Sequence, residues 1–376
     1  MSMTRTNPSP ARVGWRRARR VLSTRVVTAL AEPHGVDRYL GLVNPLWSVN
    51  EVRAVVTDVA HRTADSVTLT LRPNGNWAGT RAGQYVRVGI EIDGTLRARC
   101  FSVASSADRG DGLIEISAKV NPSGIVSRYL KRHARPGLVV RLSQAEGEFV
   151  LPAELSGHFL LISGGSGITP VMSLLRTLAG RPGQRRITFL HYARTQDDVI
   201  YRAELAELAR ADPRLTLVHA YTGSRGQGRL DGRFGRQHLL EVAPDYADAL
   251  TYACGPAPLF DAVSALWERE GIERQLRIER FAGPAPVPET DRVSGEVRFT
   301  RSGVTVANDG RTLLEQAEAA GLTPEYGCRM GICHTCTSPK RSGTVRNVLE
   351  DAFSAEPDER IQLCITVPHD DVELDI

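Results

Sequence analysis

The 376 residues are long for one domain and suit two or three; with 41% hydrophobic and 24% charged residues the composition is that of an ordinary globular protein. No apolar run approaches the roughly 20 residues that span a bilayer, and a formal net charge of +4 with no nucleic-acid motif argues against nucleic-acid binding. That small net charge hides an asymmetry: residues 1–30 hold seven arginines and no acid, while residues 291–376 hold 9 Lys/Arg against 15 Asp/Glu, a pattern suited to steering partners.

Residues 1–49 form a basic leader ending in Asn44-Pro45-Leu46-Trp47-Ser48. Trp15, Ala18, Leu22, Val26 and Ala29 recur at helical spacing among Arg12, Arg16, Arg19 and Arg20, which predicts an amphipathic basic helix. Such a helix can lie on an anionic membrane, so peripheral membrane or partner contact through residues 1–30 is the expectation. Packing against its own neighbouring domain, a disordered tail and an arginine-rich organellar transit peptide are the competing readings.

From 50 to 153, short alternating runs such as Ser66–Leu71 and Gln84–Ile90 are separated by Gly, Pro and Asn turns, which predicts an antiparallel β-barrel. Within it stands Arg99-Cys100-Phe101-Ser102, followed by Val103, Ala104 and Ser105; a plain polar strand end is the bland alternative. Gly124 to Ser127 opens a helical stretch whose N-terminus can stabilise a phosphate.

From 154 to 281, strands and helices alternate, which predicts an α/β domain with a parallel sheet. The predicted strands are His158–Ser163, Ile187–Tyr192, Leu215–Tyr221, Leu250–Ala253 and Gln275–Ile278; the predicted helices are Thr169–Leu178, Asp198–Arg210 and Pro258–Glu270. Gly165 and Gly167 sit between the first strand and a helix opened by Thr169 and Pro170, a turn that presents N–H groups and a helix N-terminus to a pyrophosphate. The spacing is G-x-G-x-x-P, not the dinucleotide fingerprint G-x-G-x-x-G, which argues against a standard dehydrogenase fold. Cys254, Gly255 and Pro256 end a later strand at the same carboxyl edge, where ligands of open α/β sheets bind. Arg194 and Arg225 follow the second and third strands and suit a 2′-phosphate, which favours NADPH; solvated surface arginines are the alternative.

Residues 282–291 are a Pro-rich linker, and 292–376 form a third module with a predicted helix at Leu313–Ala320. Cys328, Cys333 and Cys336 are spaced C-x4-C-x2-C, and Cys364 follows after a long gap. This is the plant-type pattern for a 2Fe–2S cluster held by four thiolates. Four-thiolate zinc is the main competitor, although zinc knuckles usually pair their cysteines as two C-x2-C units. Cys100 and Cys254 lie far from this loop and read as ordinary buried thiols.

Arg99-Cys100-Phe101-Ser102 resembles the R-x-[YF]-S flavin motif of the ferredoxin–NADP⁺ reductase superfamily, and Gly124 to Ser127, Gly83 to Tyr85 and the ending Glu279-Arg280-Phe281 are similar to other family segments. The resemblance covers residues 51–281, and a plant-type ferredoxin resemblance covers about 292–376. It implies an enzyme of three folded parts: an antiparallel β-barrel for the flavin, a parallel α/β domain for the nucleotide and an α+β β-grasp ferredoxin domain. It implies that Arg99 holds a flavin phosphate, that Phe101, Ser102 and Ser105 border the flavin, and that Gly124 and Ser127 meet the second phosphate of FAD, with FMN the competitor. Ser102 and Cys254 would position the hydride step, with no acid–base group required. The domain order with its basic leader resembles the cytoplasmic actinobacterial reductases that serve membrane acyl-CoA desaturases. The implied route is NADPH to flavin to cluster to a desaturase; another oxygenase as acceptor, or a non-enzymatic redox sensor, are the alternatives.

Overall fold

A computed structural model of the chain describes residues 36–121, 124–223, 228–281, 294–327, 329, 331, 334–349 and 352–376. The helical stretch expected around Trp15–Ala29, the Pro-rich linker, Arg225, Cys328 and Cys333 lie outside the described residues. The first element among the described residues is a short helix, α1 (Val36–Val43). The chain after it is fastened to the barrel by buried and half-buried polar side chains. Arg53 Nη1 donates to the carbonyl of Pro45 at 2.9 Å, Asn74 Nδ2 to that of Leu46 at 3.1 Å and Asn76 Nδ2 to that of Ser48 at 2.9 Å.

Strand β1 (Val52–Ala60) buries Val52, Ala54 and Val56 and leaves the residues between them half-exposed, the period of a sheet with one wet face. With β2 (Ser66–Pro73), β3 (Tyr85–Ile92), β4 (Thr95–Ser102), β5 (Ile114–Lys119) and β6 (Val139–Leu142) it makes a six-stranded antiparallel sheet in the order β4-β3-β6-β1-β2-β5. A bridge between Val103 and Ile116 links the two edge strands, so the sheet curls into a barrel. Helix α2 (Ile125–His133) seals it with Val126 and Leu130, both at most 1% exposed; each such aliphatic side chain contributes about 1.5–3 kcal/mol by leaving water.

The second domain runs β7 (Gly157–Gly164), α3 (Ile168–Gly180), β8 (Arg185–Ala193), α4 (Arg202–Ala211), β9 (Leu215–Tyr221), β10 (Leu230–Asp231), α5 (Arg236–Val242), β11 (Leu250–Gly255), α6 (Ala257–Glu270) and β12 (Leu276–Arg280). Its sheet is parallel throughout, in the order β10-β9-β8-β7-β11-β12. Leu160, Leu161 and Ile162 are wholly buried because helices cover both faces. Helix α4 starts at Arg202, not at the expected Asp198. Thr195 and Asp198 cap each other around a separate 3₁₀ turn, Gln196–Asp198, and so end it before the helix begins. Helix α3 is buried on nearly all sides because it also packs on the barrel: Ser173 Oγ donates to the carbonyl of Ser105 at 2.8 Å.

The third domain holds β13 (Glu296–Phe299), β14 (Val304–Ala307), α7 (Leu313–Ala319), β15 (Thr337–Ser342), β16 (Val345–Asn347), β17 (Ala352–Ser354), β18 (Glu359–Gln362), β19 (Thr366–Pro368) and β20 (Val372–Leu374). A mixed sheet, β14-β13-β20-β15-β18, packs under α7, with the small sheet β17-β16-β19 beside it. Thr312 and Glu315 form a capping box at the start of α7. The expected fold, barrel then parallel α/β domain then β-grasp, is the one observed.

Candidate active site

The register of the parallel sheet brings five polar side chains to one level. His219 on β9 pairs with His191 on β8, His191 with Ser163 on β7, Ser163 with Cys254 on β11, and Cys254 with Glu279 on β12. In-register residues of neighbouring strands point to the same face. Ser163 Oγ and His191 Nδ1 are 2.7 Å apart, and at the far end of the row Ser102 Oγ of the barrel lies 3.5 Å from Glu279 Oε2. Burial pushes the Glu279 carboxyl up to about 8, with the Ser102 hydroxyl pulling against it. Burial and the adjoining Glu279 also raise the Cys254 thiol well above its ordinary value, so Cys254 is a neutral thiol rather than a nucleophile. Burial drives His191 down to about 3, which makes its ring neutral.

Ser102 and Glu279 open into a cavity between the first two domains. The barrel lines it with Tyr85, Phe101 and Ser102, and the nucleotide domain with Ser166, Thr169 and Glu279. Cys100, expected to be buried, is half-exposed and lines this cavity, because it stands on an edge strand. Ser105 is not among the lining residues: its Oγ accepts the Glu115 N–H at 3.1 Å and its carbonyl is taken by α3. Glu279, read from the sequence only as part of the Glu279-Arg280-Phe281 ending and given no role, lines the cavity, as does Lys119, which was not singled out. An acid closing a strand that otherwise reads as core was the available signal for Glu279; Lys119 carried none.

The aromatic surfaces of Tyr85 and Phe101 beside hydroxyl and carboxyl groups fit a flavin ring. Nearby, α2 begins at Gly124, which puts no side chain over the helix end, and its first turn holds no acid. That end fits a phosphate. Ser127 is buried in the same turn, where its Oγ accepts the Asn121 N–H at 3.2 Å. Arg99 is the exception to a simple flavin role. Its Nη1 donates to the carbonyl of Gly327 in the third domain at 3.0 Å.

At the nucleotide turn, Gly165 takes φ +53 and Gly167 begins α3. Gly167 is required by close approach: a Cβ there would lie 2.2 Å from the Cys254 carbonyl oxygen. The turn and the end of β11 are thereby pressed together, with Gly255 and Pro256 following at the start of α6. Thr169 Oγ1 donates to the Ser166 carbonyl at 3.1 Å, and Pro170 is buried within the helix. Neither Gly167 nor the first turn of α3 carries a side-chain cap or an acid, so this helix end also fits a phosphate. Arg194 is 71% exposed at the end of β8 and 3.9 Å from Asp198, free to reach an incoming anion.

Of the four expected cluster ligands, Cys336 and Cys364 are described, both nearly buried in the third core. The Leu363 N–H donates to the Cys336 carbonyl at 3.1 Å, which brings their segments together. Gly331 takes φ +77, and a Cβ there would lie 2.7 Å from Ile365, so Gly331 lies tight on the segment that carries Cys364. Two buried thiols on adjoining segments fit a thiolate-held 2Fe–2S cluster.

Three family descriptions match consecutive parts of the chain: the oxidoreductase FAD-binding domain at residues 54–151, the oxidoreductase NAD-binding domain at 161–265 and the 2Fe-2S iron-sulfur cluster binding domain at 297–369. An NADPH oxidoreductase of Mycobacterium tuberculosis is 38% identical over 368 residues, covering 96% of this chain and 93% of its own. The glycine betaine monooxygenase reductase subunit of Pseudomonas aeruginosa is 30% identical and covers 78% of this chain and 87% of its own. Among solved structures, phthalate dioxygenase reductase superposes with a TM-score of 0.61 at 20% identity, over 87% of this chain and 98% of that one, a likeness of fold.

Proposed function

The chain belongs to the NAD(P)H oxidoreductases built from FAD-binding, NAD-binding and 2Fe-2S domains, and from that premise we propose that it takes electrons from NADPH and delivers them to a membrane di-iron acyl-CoA desaturase. The chain is an electron-transfer reductase of the route NAD(P)H to FAD to 2Fe-2S. The flavin supplies the exchange between a hydride pair and single electrons, and the cluster supplies a one-electron carrier. The chain's own residues do the rest. Tyr85, Phe101 and Ser102 would seat the flavin ring, and the α2 N-terminus at Gly124 to Ser127 a phosphate. The turn from Gly165 to Pro170 and the β11 end at Cys254 to Pro256 would seat the nucleotide. Cys328, Cys333, Cys336 and Cys364 would hold the cluster.

The observation that carries the NADPH part of the proposal is the 38% relative named NADPH oxidoreductase, whose likeness extends over 96% of this chain; the desaturase rests on the resemblance of domain order and basic leader. Arg194, exposed beside the nucleotide edge, supports the NADPH preference; Arg194→Ala should raise the KM for NADPH about tenfold and leave that for NADH unchanged. Residues 1–30 would bring the reductase to the cytoplasmic membrane face where a desaturase resides. The test is reconstitution: the reductase, a membrane acyl-CoA desaturase in liposomes, a saturated acyl-CoA and NADPH. Monounsaturated product at a rate set by reductase concentration supports the proposal; NADPH oxidation without product rejects the acceptor. A second reading, service to another oxygenase, is favoured by two relatives, one named as a monooxygenase reductase subunit and one as a subunit of 1,2-phenylacetyl-CoA epoxidase.

A further inference from the structure

The strand that carries the flavin motif is tied to the cluster loop by side chains, Arg99 of the motif itself among them. Arg97 and Arg99 stand two residues apart on β4. Arg97 Nη1 donates to the phenol oxygen of Tyr326 at 3.1 Å, and Arg99 Nη1 donates to the neighbouring carbonyl of Gly327 at 3.0 Å. The Tyr326 ring carries two guanidinium groups, Arg99 at 5.1 Å and Arg329 at 4.0 Å from its centroid, and Arg329 is itself held by Glu318. From β3, Arg87 Nη1 donates to Thr335 Oγ1 at 2.7 Å. The barrel therefore holds both ends of the loop, just before Cys328 and just before Cys336. Planar, permanently charged guanidinium groups over an aromatic face fix orientation as well as distance.

We infer that Tyr326 is a positioning residue for electron transfer from flavin to cluster: gripped by Arg97 and Arg99, it seats the cluster-bearing loop against the flavin strand. One electron lost by the flavin is one gained by the cluster, so each NAD(P)H oxidised sends two electrons in turn across this contact. The inference is independent of the final acceptor, since every candidate draws from the same cluster.

The test compares full-length, flavin- and iron-loaded Arg97→Ala, Tyr326→Ala and Tyr326→Phe with the native protein. Anaerobic stopped-flow mixing with NADPH follows flavin bleaching and cluster reduction separately, and small-angle scattering of the oxidised protein reads docking without turnover. Flavin bleaching should stay at the native rate in all three. Cluster reduction should slow about tenfold in Arg97→Ala and Tyr326→Ala, the effect of losing one hydrogen bond to a charged donor. Tyr326→Phe, which keeps the ring and loses the same Arg97 bond, should slow as much as Arg97→Ala, and the radius of gyration should rise in both alanine variants. Arg97→Ala lies on the barrel, so it tests seating even where Tyr326→Ala takes up iron poorly. Native cluster reduction and an unchanged radius of gyration in Arg97→Ala overturn the inference.

Discussion

Glu279→Gln isolates the one carboxyl of the candidate site that burial holds against its charge. Glu279 is 9% exposed, and its carboxyl is pushed from 4.5 to about 8 by burial. In the unfolded chain the proton leaves near 4.5; in the folded protein it stays until about 8. Between those values the folded state binds a proton that the unfolded state lacks, so stability falls with rising pH by about 1.4 kcal/mol per pH unit. The contribution is fully present below the lower value, is lost as pH rises through the upper one and is constant above it. Across the window it amounts to on the order of 5 kcal/mol. Glutamine keeps the shape and cannot ionise, so the variant should escape this loss. Scanning calorimetry from pH 5 to 8.5 at constant ionic strength should show the native melting temperature falling away from that of the variant. At pH 8 the gap should be on the order of 10 °C, at roughly 2–4 °C per kcal/mol for a unit of this size. Parallel curves for the two proteins would refute the reasoning.

Arg176 bonds Glu115 at 2.8 Å across the seam between the first two domains, bonds Glu204 of its own domain at 2.6 Å and lies over the Tyr201 ring; Arg176→Ala strands the buried Glu115 and should cost about 3–5 kcal/mol in urea or thermal unfolding. Gly167→Ala drives a methyl group into the Cys254 carbonyl; it should cost roughly 1–3 kcal/mol and raise the KM for NADPH, with flavin content unchanged. Cys364→Ser should lose the iron–sulfur absorbance and cytochrome c reduction while NADPH still bleaches the flavin at the native rate.

The parallel-sheet strands were legible because buried strands are continuous apolar runs closed by turn residues. Leu215–Tyr221 is observed with the expected bounds, and Leu313–Ala320 ends one residue early. Helix α5 was not foreseen. It is seven residues long and buries only His238 and Leu239, too little apolar periodicity to mark a helix. The start of α4 was misplaced because a Thr195–Asp198 capping box reads the same whether it opens a helix or closes a single 3₁₀ turn. Cys100 was expected in a core because an isolated cysteine usually is; the edge position of β4 that exposes it to the cavity follows from strand order, which local pattern does not encode.

The same distinction separates the legible and illegible parts of the site. Motifs lie at the carboxyl ends of strands, and a strand end can be read from its own few residues. What those ends meet depends on pairing between distant segments. Ser102 reaches Glu279 across 177 residues of sequence, and Arg99 reaches Gly327 across 228. Both contacts start on β4, the edge strand that bears the flavin motif, and they leave it in different directions: one to the nucleotide domain and one to the cluster loop. Its neighbour β3 adds Arg87, which bonds Thr335 beside Cys336, and Tyr85, which lines the cavity. The motif therefore occupies a barrel strand that meets both the nucleotide domain and the cluster loop, and substitutions along it should separate: one at Ser102, which faces Glu279, should alter the donor side, and one at Arg97, which holds Tyr326, only the transfer to the cluster.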